Sequence, residues 1–144
     1  TSFYYQSGDS CGAGECAQEI LAMGTPLLWW SAVIAVAITL GFYLKTVNKS
    51  AEIVLAGFAG TYLPWFIFQD RTMFYFYSIT TLPFLILALM YCFDLLLKYR
   101  NYQRVIQIFI LTVAINFIYF LPIYIGIEIP YSDWLNRMWL PSWI

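Results

Sequence analysis

The sequence is poor in charge and contains no histidine. Only 10% of its 144 residues are charged, whereas 62% are hydrophobic. A soluble domain carries about 25% charged and about 45–50% apolar residues, so the composition predicts an integral membrane protein. The net charge of −1 makes nucleic acid an unexpected partner. The absence of histidine removes the commonest metal ligand and the usual acid–base side chain.

Common catalytic signatures are missing as well. The chain has no Gly-rich phosphate loop that follows a strand, no cluster of metal ligands and, without histidine, no plausible Ser or Cys triad. We therefore expect neither a cofactor nor a metal site. No signal peptide opens the chain. A membrane chain that begins at Thr1 rather than at Met is expected to be a piece of something longer or a processed product.

Four long apolar runs predict an all-α membrane protein with four transmembrane helices. About eighteen helical residues, at 1.5 Å each, nearly cross a hydrocarbon core of about 30 Å. The spans occupy residues 27–127, at about 27–44, 51–68, 73–97 and 105–127. Because proline lacks a backbone donor, it kinks or ends a helix. We expect these effects at Pro64, Pro83 and Pro122.

The segments that flank the spans are more polar. Residues 1–26 contain three acidic residues, several glycines and no Lys or Arg. They are predicted to form a loop with a short helix over residues 15–23 that lies on the bilayer. Residues 128–144 contain three tryptophans, and this tail is predicted to lie along the membrane interface.

A few small or polar side chains interrupt the spans. Gly57 and Gly60 permit close helix approach, and Asp94 is placed to pair with Lys98 one turn later. Asn116 fits an interhelical hydrogen bond, with a ligand contact as the alternative. Since no span carries an ionisable residue near its middle, transport is not favoured.

The basic residues predict the orientation of the spans. Five of the seven lie in the two turns at 45–50 and 98–104, whereas only Arg71 and Arg137 lie on the opposite side. The positive-inside rule places the two basic turns in the cytoplasm. Both termini of the chain and the connection at 69–72 are then extracytoplasmic.

This orientation bears on the cysteines. Cys11 and Cys16 would both lie outside the cytoplasm, where disulfides persist. We expect them to bond to each other, the alternatives being two free thiols or an intermolecular pair. Cys92 lies within an apolar run and is expected to be inert.

The stretch from Arg71 to Pro83 is the most distinctive in the chain. Arg71 follows a long apolar run and precedes five aromatic or sulfur-bearing side chains in a row, from Met73 to Tyr77. Arg71 could bind a lipid phosphate at the mouth of the helix bundle. The alternative is an interfacial anchor, with Arg71 snorkelling and the aromatic rings at headgroup depth.

Several blocks of sequence resemble a known family over essentially the whole chain. The blocks are Gly24-Thr25-Pro26 with Trp29-Trp30, Tyr62-Leu63-Pro64-Trp65-Phe66, Arg71-Thr-Met-Phe-Tyr-Phe-Tyr77, Leu82-Pro83-Phe84, and the closing residues from Asn136 to Ile144. Together with the Cys-containing loop, they are similar to the C-terminal four-span region of actinobacterial protein O-mannosyltransferases. The block that begins at Arg71 is fairly specific, whereas the aliphatic spans are not. Thr25 departs from the Asn that the family often has.

The resemblance implies a glycosyltransferase of the GT-C type in the plasma membrane. Such enzymes move mannose, with inversion, from a polyprenyl-phosphate-mannose donor to Ser or Thr of exported proteins. Their acidic catalytic residues lie in a first extracytoplasmic loop that these 144 residues do not contain, so no catalytic residue is assigned. By this resemblance Arg71 contacts the donor phosphate, with Gln69 and Tyr75 as further candidates.

The partners implied are the lipid-linked donor, the acceptor protein, the remainder of the same enzyme and membrane lipids. The fragment alone is expected to be inactive. The alternative is a small four-helix membrane scaffold or accessory subunit without catalysis of its own. In that case the small residues Gly57 and Gly60 would serve assembly with other subunits.

Overall fold

The computed structural model of the chain describes residues 2–8, 16–21, 23–67, 78–100, 102–140 and 143. The elements are β1 (Ser2–Gly8), β2 (Cys16–Leu21), α1 (Pro26–Lys45), α2 (Lys49–Tyr62), α3 (Pro64–Ile67), α4 (Ser78–Arg100), α5 (Gln103–Ile125), β3 (Ile129–Pro130) and α6 (Tyr131–Leu135). They form two compact units. The helical unit spans Leu27–Ile110, and the mixed unit combines Thr1–Pro26 with Leu111–Ile144.

The predicted spans are confirmed as helices long and apolar enough to cross a membrane. Among the described residues there are four such segments: Pro26–Lys45, Lys49–Ile67, Ser78–Lys98 and Gln103–Ile125. The chain is therefore an integral, multi-pass membrane protein. The third predicted span begins at residue 73, and its first five residues lie outside the described ranges.

The prolines act differently from one helix to the next. α2 ends at Tyr62, and α3 restarts at Pro64, where the missing proline N–H is tolerated in a first helical turn. Pro83 lies within α4. The expected break at Pro122 is wrong, because α5 continues to Ile125. Proline lacks the backbone N–H that would donate to the preceding helical turn, but its carbonyl oxygen can still accept from later residues. The Ile127 N–H donates to the Pro122 carbonyl oxygen at 2.9 Å.

Small side chains form much of the core of the helical unit. The fully buried members come from three helices: Ala32 and Ala35 of α1, Val54 of α2, and Leu85, Ala88 and Leu89 of α4. Short side chains let helix backbones approach closely, and in a membrane this close packing drives helix association because the hydrophobic effect contributes little. The predicted close approach is confirmed at Gly57, since the Phe84 ring of α4 occupies the space that a Cβ there would need. It is wrong at Gly60, where a Cβ would meet no atom within 4 Å.

A further prediction about α4 is confirmed. Asp94 pairs with Lys98 at 2.6 Å on an exposed face, so solvent screening keeps its stabilising effect small. Cys92 is a free thiol, and its Sγ lies 3.6 Å from the Ala35 carbonyl oxygen of α1.

The mixed unit contains a three-stranded antiparallel sheet in the order β1, β2, β3. The helix predicted for residues 15–23 is wrong, because Cys16–Leu21 forms the central strand β2. Ala17, Glu19 and Leu21 are all buried, which is the alternation of a strand with one face inward. In β3, Ile129 is the pairing partner of Ala17.

Candidate functional site

The predicted donor-phosphate residues Arg71, Gln69 and Tyr75 lie outside the described residues. Cys11 does too, so its disulfide with Cys16 stays a prediction. Cys16 itself is buried at the first position of β2. The described residues of the mixed unit place other polar side chains in separate hydrogen bonds and ring contacts. These side chains are here called the polar cluster: Gln18, Glu19, Tyr119, Trp134 and Arg137.

Glu19 is the buried acid of the polar cluster. Its side chain is only 4% exposed, and its Oε2 accepts a hydrogen bond from Trp134 Nε1 of α6 at 2.5 Å. A buried carboxylate is tolerated only when hydrogen bonds replace its hydration. Because the two residues are 115 positions apart, this bond fixes the C-terminal segment to the central strand.

Gln18 makes a second long-range connection. Its Nε2 donates to the Gly126 carbonyl oxygen at 2.7 Å. Gly126 ends α5 with a φ of +68°, the left-handed conformation that commonly terminates helices at glycine. A Cβ at Gly126 would also lie 2.8 Å from Ile20. Glycine is therefore required here both by the backbone and by the neighbouring strand.

Arg137 makes hydrogen bonds to backbone carbonyls of α5 and α6. Its Nε donates to the Tyr119 carbonyl oxygen at 2.9 Å and its Nη1 to the Asp133 carbonyl oxygen at 2.7 Å. Its guanidinium carbon lies 4.8 Å from the centre of the Tyr119 ring, within the range of a cation–π contact. The side chain is half-buried, so these bonds orient a positive charge beside an aromatic surface.

The chemistry open to the polar cluster is binding and positioning. Glu19 is enclosed and already accepts from an indole, so a substrate could reach it only after the contact with α6 opened. A guanidinium has five N–H donors, and the recorded bonds of Arg137 use two. Within the described ranges, no group of three His, Cys, Asp or Glu side chains could hold a metal ion.

The sequence interpretation missed the polar cluster for an identifiable reason. Glu19 falls within the short interfacial helix predicted for residues 15–23, whereas it occupies the middle inward position of a strand. Its inward position is visible only in the structure, because Glu19 interrupts the apolar side of the strand and the apolar Ile20 lies on the exposed side. The partner Trp134 was interpreted only as an interfacial aromatic residue, yet it is buried.

Comparison with known proteins gives the family. The model of the C-terminal four-transmembrane region of protein-O-mannosyltransferase matches residues 3–143. The chain is 32% identical over 146 residues to the polyprenol-phosphate-mannose–protein mannosyltransferase of Mycolicibacterium smegmatis. This alignment covers 96% of this chain and 28% of the relative. For the proteins of the same name from Mycobacterium tuberculosis and Corynebacterium glutamicum, the identity is 30% over 141 and 150 residues.

The similarity to these two covers 92% and 97% of this chain and 27% and 29% of the respective relatives. The chain thus spans less than a third of the curated relatives that it matches. No solved structure matches it significantly. The match over nearly all of its residues shows that the chain belongs to the family of C-terminal four-transmembrane regions of protein O-mannosyltransferases.

Proposed function

We propose that this chain is the C-terminal membrane module of an enzyme that transfers mannose from polyprenol-phosphate-mannose to Ser or Thr of exported proteins. The observation that carries the proposal is the match over residues 3–143 to a region that makes up about 28% of relatives named for this activity. The four helices long and apolar enough to cross a membrane are consistent with an enzyme that uses a lipid-linked donor. By the family resemblance, the catalytic loop lies in the remainder of the enzyme, and the acceptor is a separate exported protein.

Within this module, the proposed role of the connection at 69–72 and the start of the third span is to bind the donor phosphate. Arg71 supplies a planar, permanently charged group with donors arranged to fit phosphate oxygens. Gln69 and Tyr75 add neutral donors. The charge distribution supports an extracytoplasmic position for this connection, because the basic turns that follow α1 and α4 are expected to face the cytoplasm.

The test of this role is Arg71→Ala in the complete enzyme. A lost hydrogen bond to a charged group is worth about 1.5–3 kcal/mol, so we expect mannosyl transfer to fall about ten- to a hundredfold, with weaker donor binding. Arg71→Lys should restore only part of the rate, since lysine keeps the positive charge but lacks the planar pair of N–H donors that can bind two phosphate oxygens at once. Arg104→Ala, the same change in a turn expected on the other membrane face, is the matched control. Wild-type transfer by Arg71→Ala would remove Arg71 from the donor site.

The same orientation leads us to propose a disulfide between Cys11 and Cys16. Both residues would lie in the oxidising compartment. Mass spectrometry of peptides prepared without reductant should show the two residues joined. Detection of two alkylated thiols would overturn the pairing, and a link to another chain would show the intermolecular alternative.

A further inference from the structure

Two adjoining cavities lie along α1 near its C-terminal end. One has a volume of about 200 Å³ and is lined by Ile38, Phe42, Cys92, Leu95 and Leu96. The second has a volume of about 240 Å³, and its lining adds Gly41 and Lys45 to the same Ile38 and Phe42. The two cavities share the lining residues Ile38 and Phe42, so they adjoin along α1, and together they are here called the α1–α4 groove.

Helix geometry explains the α1 side of the groove. Residues 38, 41, 42 and 45 recur at the spacing of one helical face, so a single stripe of α1 runs from apolar side chains to a cation. Seven residues at 1.5 Å each give this stripe a length of about 10 Å. Gly41 leaves a recess in it, since a Cβ placed there would meet no atom within 4 Å.

The α4 side is apolar and also follows one helical face. Residues 92, 95 and 96 share that face, and the free thiol of Cys92 is the most polar group among them. Lys98 of α4 already pairs with Asp94. Lys45, by contrast, has no ion pair recorded with any residue in the described ranges, and it is exposed at the end of a membrane span.

The groove therefore combines an apolar trough with a cation, Lys45, that has no ion pair among the described residues and lies at the end of a membrane span. An acyl chain matches the trough, and a headgroup phosphate matches Lys45. We propose that the α1–α4 groove binds an anionic phospholipid, with one acyl chain against Phe42 and Leu95 and its phosphate on Lys45. This site goes beyond the donor site proposed above, because Lys45 precedes α2 whereas residues 69–75 follow the far end of that helix and α3.

Charge complementarity favours this occupant over another helix of the complete enzyme. A membrane helix packed into the trough would leave Lys45 without a partner at the interface. A basic residue near the membrane surface favours anionic over neutral lipid, by about fivefold in occupancy for one lysine. The preference for anionic lipid should depend on the charge of the headgroup, and lipid binding should depend on the apolar trough.

The experiment uses the native full-length protein in nanodiscs with photoactivatable lipids. Phosphatidylglycerol and phosphatidylcholine, each with a diazirine in one acyl chain, are compared at equal mole fraction. Crosslinked peptides are then mapped by mass spectrometry. We expect phosphatidylglycerol to label the peptides that contain Phe42 and Leu95 about fivefold more than phosphatidylcholine does.

Variants separate the headgroup contact from the trough. Lys45→Gln should abolish the preference for phosphatidylglycerol, and Lys45→Arg should retain it. Lys49→Gln, a nearby lysine outside the groove lining, is the matched control. Gly41→Leu should lower labelling by both lipids because it fills the recess, whereas Leu40→Phe, on the neighbouring exposed face of α1, should not.

Two results would overturn the proposal. Equal labelling by the two lipids in the wild-type protein would mean only non-selective boundary lipid. Absence of labelling by either lipid at these peptides would mean that another protein segment covers the groove. Neither result depends on mannosyl transfer, so failure of this proposal is distinguishable from failure of the Arg71 assignment.

Discussion

The contact of α2 with α4 at Gly57 gives the sharpest prediction, because α2 contains its own control. Gly57 and Gly60 lie three residues apart on the same helix. A Cβ added at Gly57 would overlap the Phe84 ring, whereas a Cβ added at Gly60 would meet no atom within 4 Å. The substitutions Gly57→Ala and Gly60→Ala are chemically identical and differ only in this neighbour.

The expected magnitudes follow from two opposing effects. Alanine is favoured over glycine inside a helix by about 0.8–1.0 kcal/mol, and this gain applies at both positions. Insertion of a methyl group into a packed contact costs about 1–3 kcal/mol when the neighbour must move. Gly60→Ala should therefore stabilise the protein slightly. Gly57→Ala should range from nearly neutral to about 2 kcal/mol less stable, so that the two variants differ by about 1–3 kcal/mol.

The assay is unfolding of the full-length protein in detergent, measured as the fraction that remains monodisperse after heating or titration with denaturing detergent. The order of stability should be Gly60→Ala, wild type, Gly57→Ala. Adding Phe84→Leu to Gly57→Ala should recover part of the loss by making room for the methyl group. Equal stability of the two single variants would show that the Gly57–Phe84 contact does not set the spacing of α2 and α4.

Further predictions concern the mixed unit and a helix cap, each measured by the same unfolding assay. Glu19→Ala should lower stability by about 1–3 kcal/mol, because it leaves the buried Trp134 N–H without an acceptor, whereas Glu19→Gln should retain most of the stability; equal values for the two would contradict this. Gly126→Ala should destabilise by about 1–2 kcal/mol from its left-handed backbone alone, and Ile20→Ala in the same chain should relieve only the steric part. Asn48→Ala should cost about 1 kcal/mol through loss of the α2 N-cap, while Asn48→Ser should remain near wild type.

The four spans could be predicted from the sequence because their signal is local. An apolar run of 18 residues or more is read as a membrane helix whatever it packs against, and the observed limits fall close to the expected ones. The cap also has a local cause, since the Asn48 side chain accepts from the Ser50 N–H only two residues away. The same is true of the Asp94–Lys98 pair, which lies within one helical turn.

The sheet could not be predicted as readily because its partners are distant in sequence. Strand β2 has a charged residue at its central inward position, so the alternation expected of a half-buried strand was masked by Glu19. That carboxylate is stable inside the unit only because Trp134 donates to it. Residues 15–23 taken alone therefore predict an amphipathic helix, whereas pairing with β1 and β3 makes Cys16–Leu21 a strand.

The long separation of these partners has a consequence for biosynthesis. β2 is made before the four spans, yet its pairing residues in β3 and the indole that bonds Glu19 are made after them. Until Trp134 has been synthesised, the edge of β2 that pairs with β3 has no partner strand, and Glu19 lacks the indole that bonds it. Closure of the sheet therefore requires that the membrane-spanning helices between β2 and β3 have already been synthesised. A nascent chain interrupted before that point would present an unpaired strand edge, which is a template for pairing with another chain.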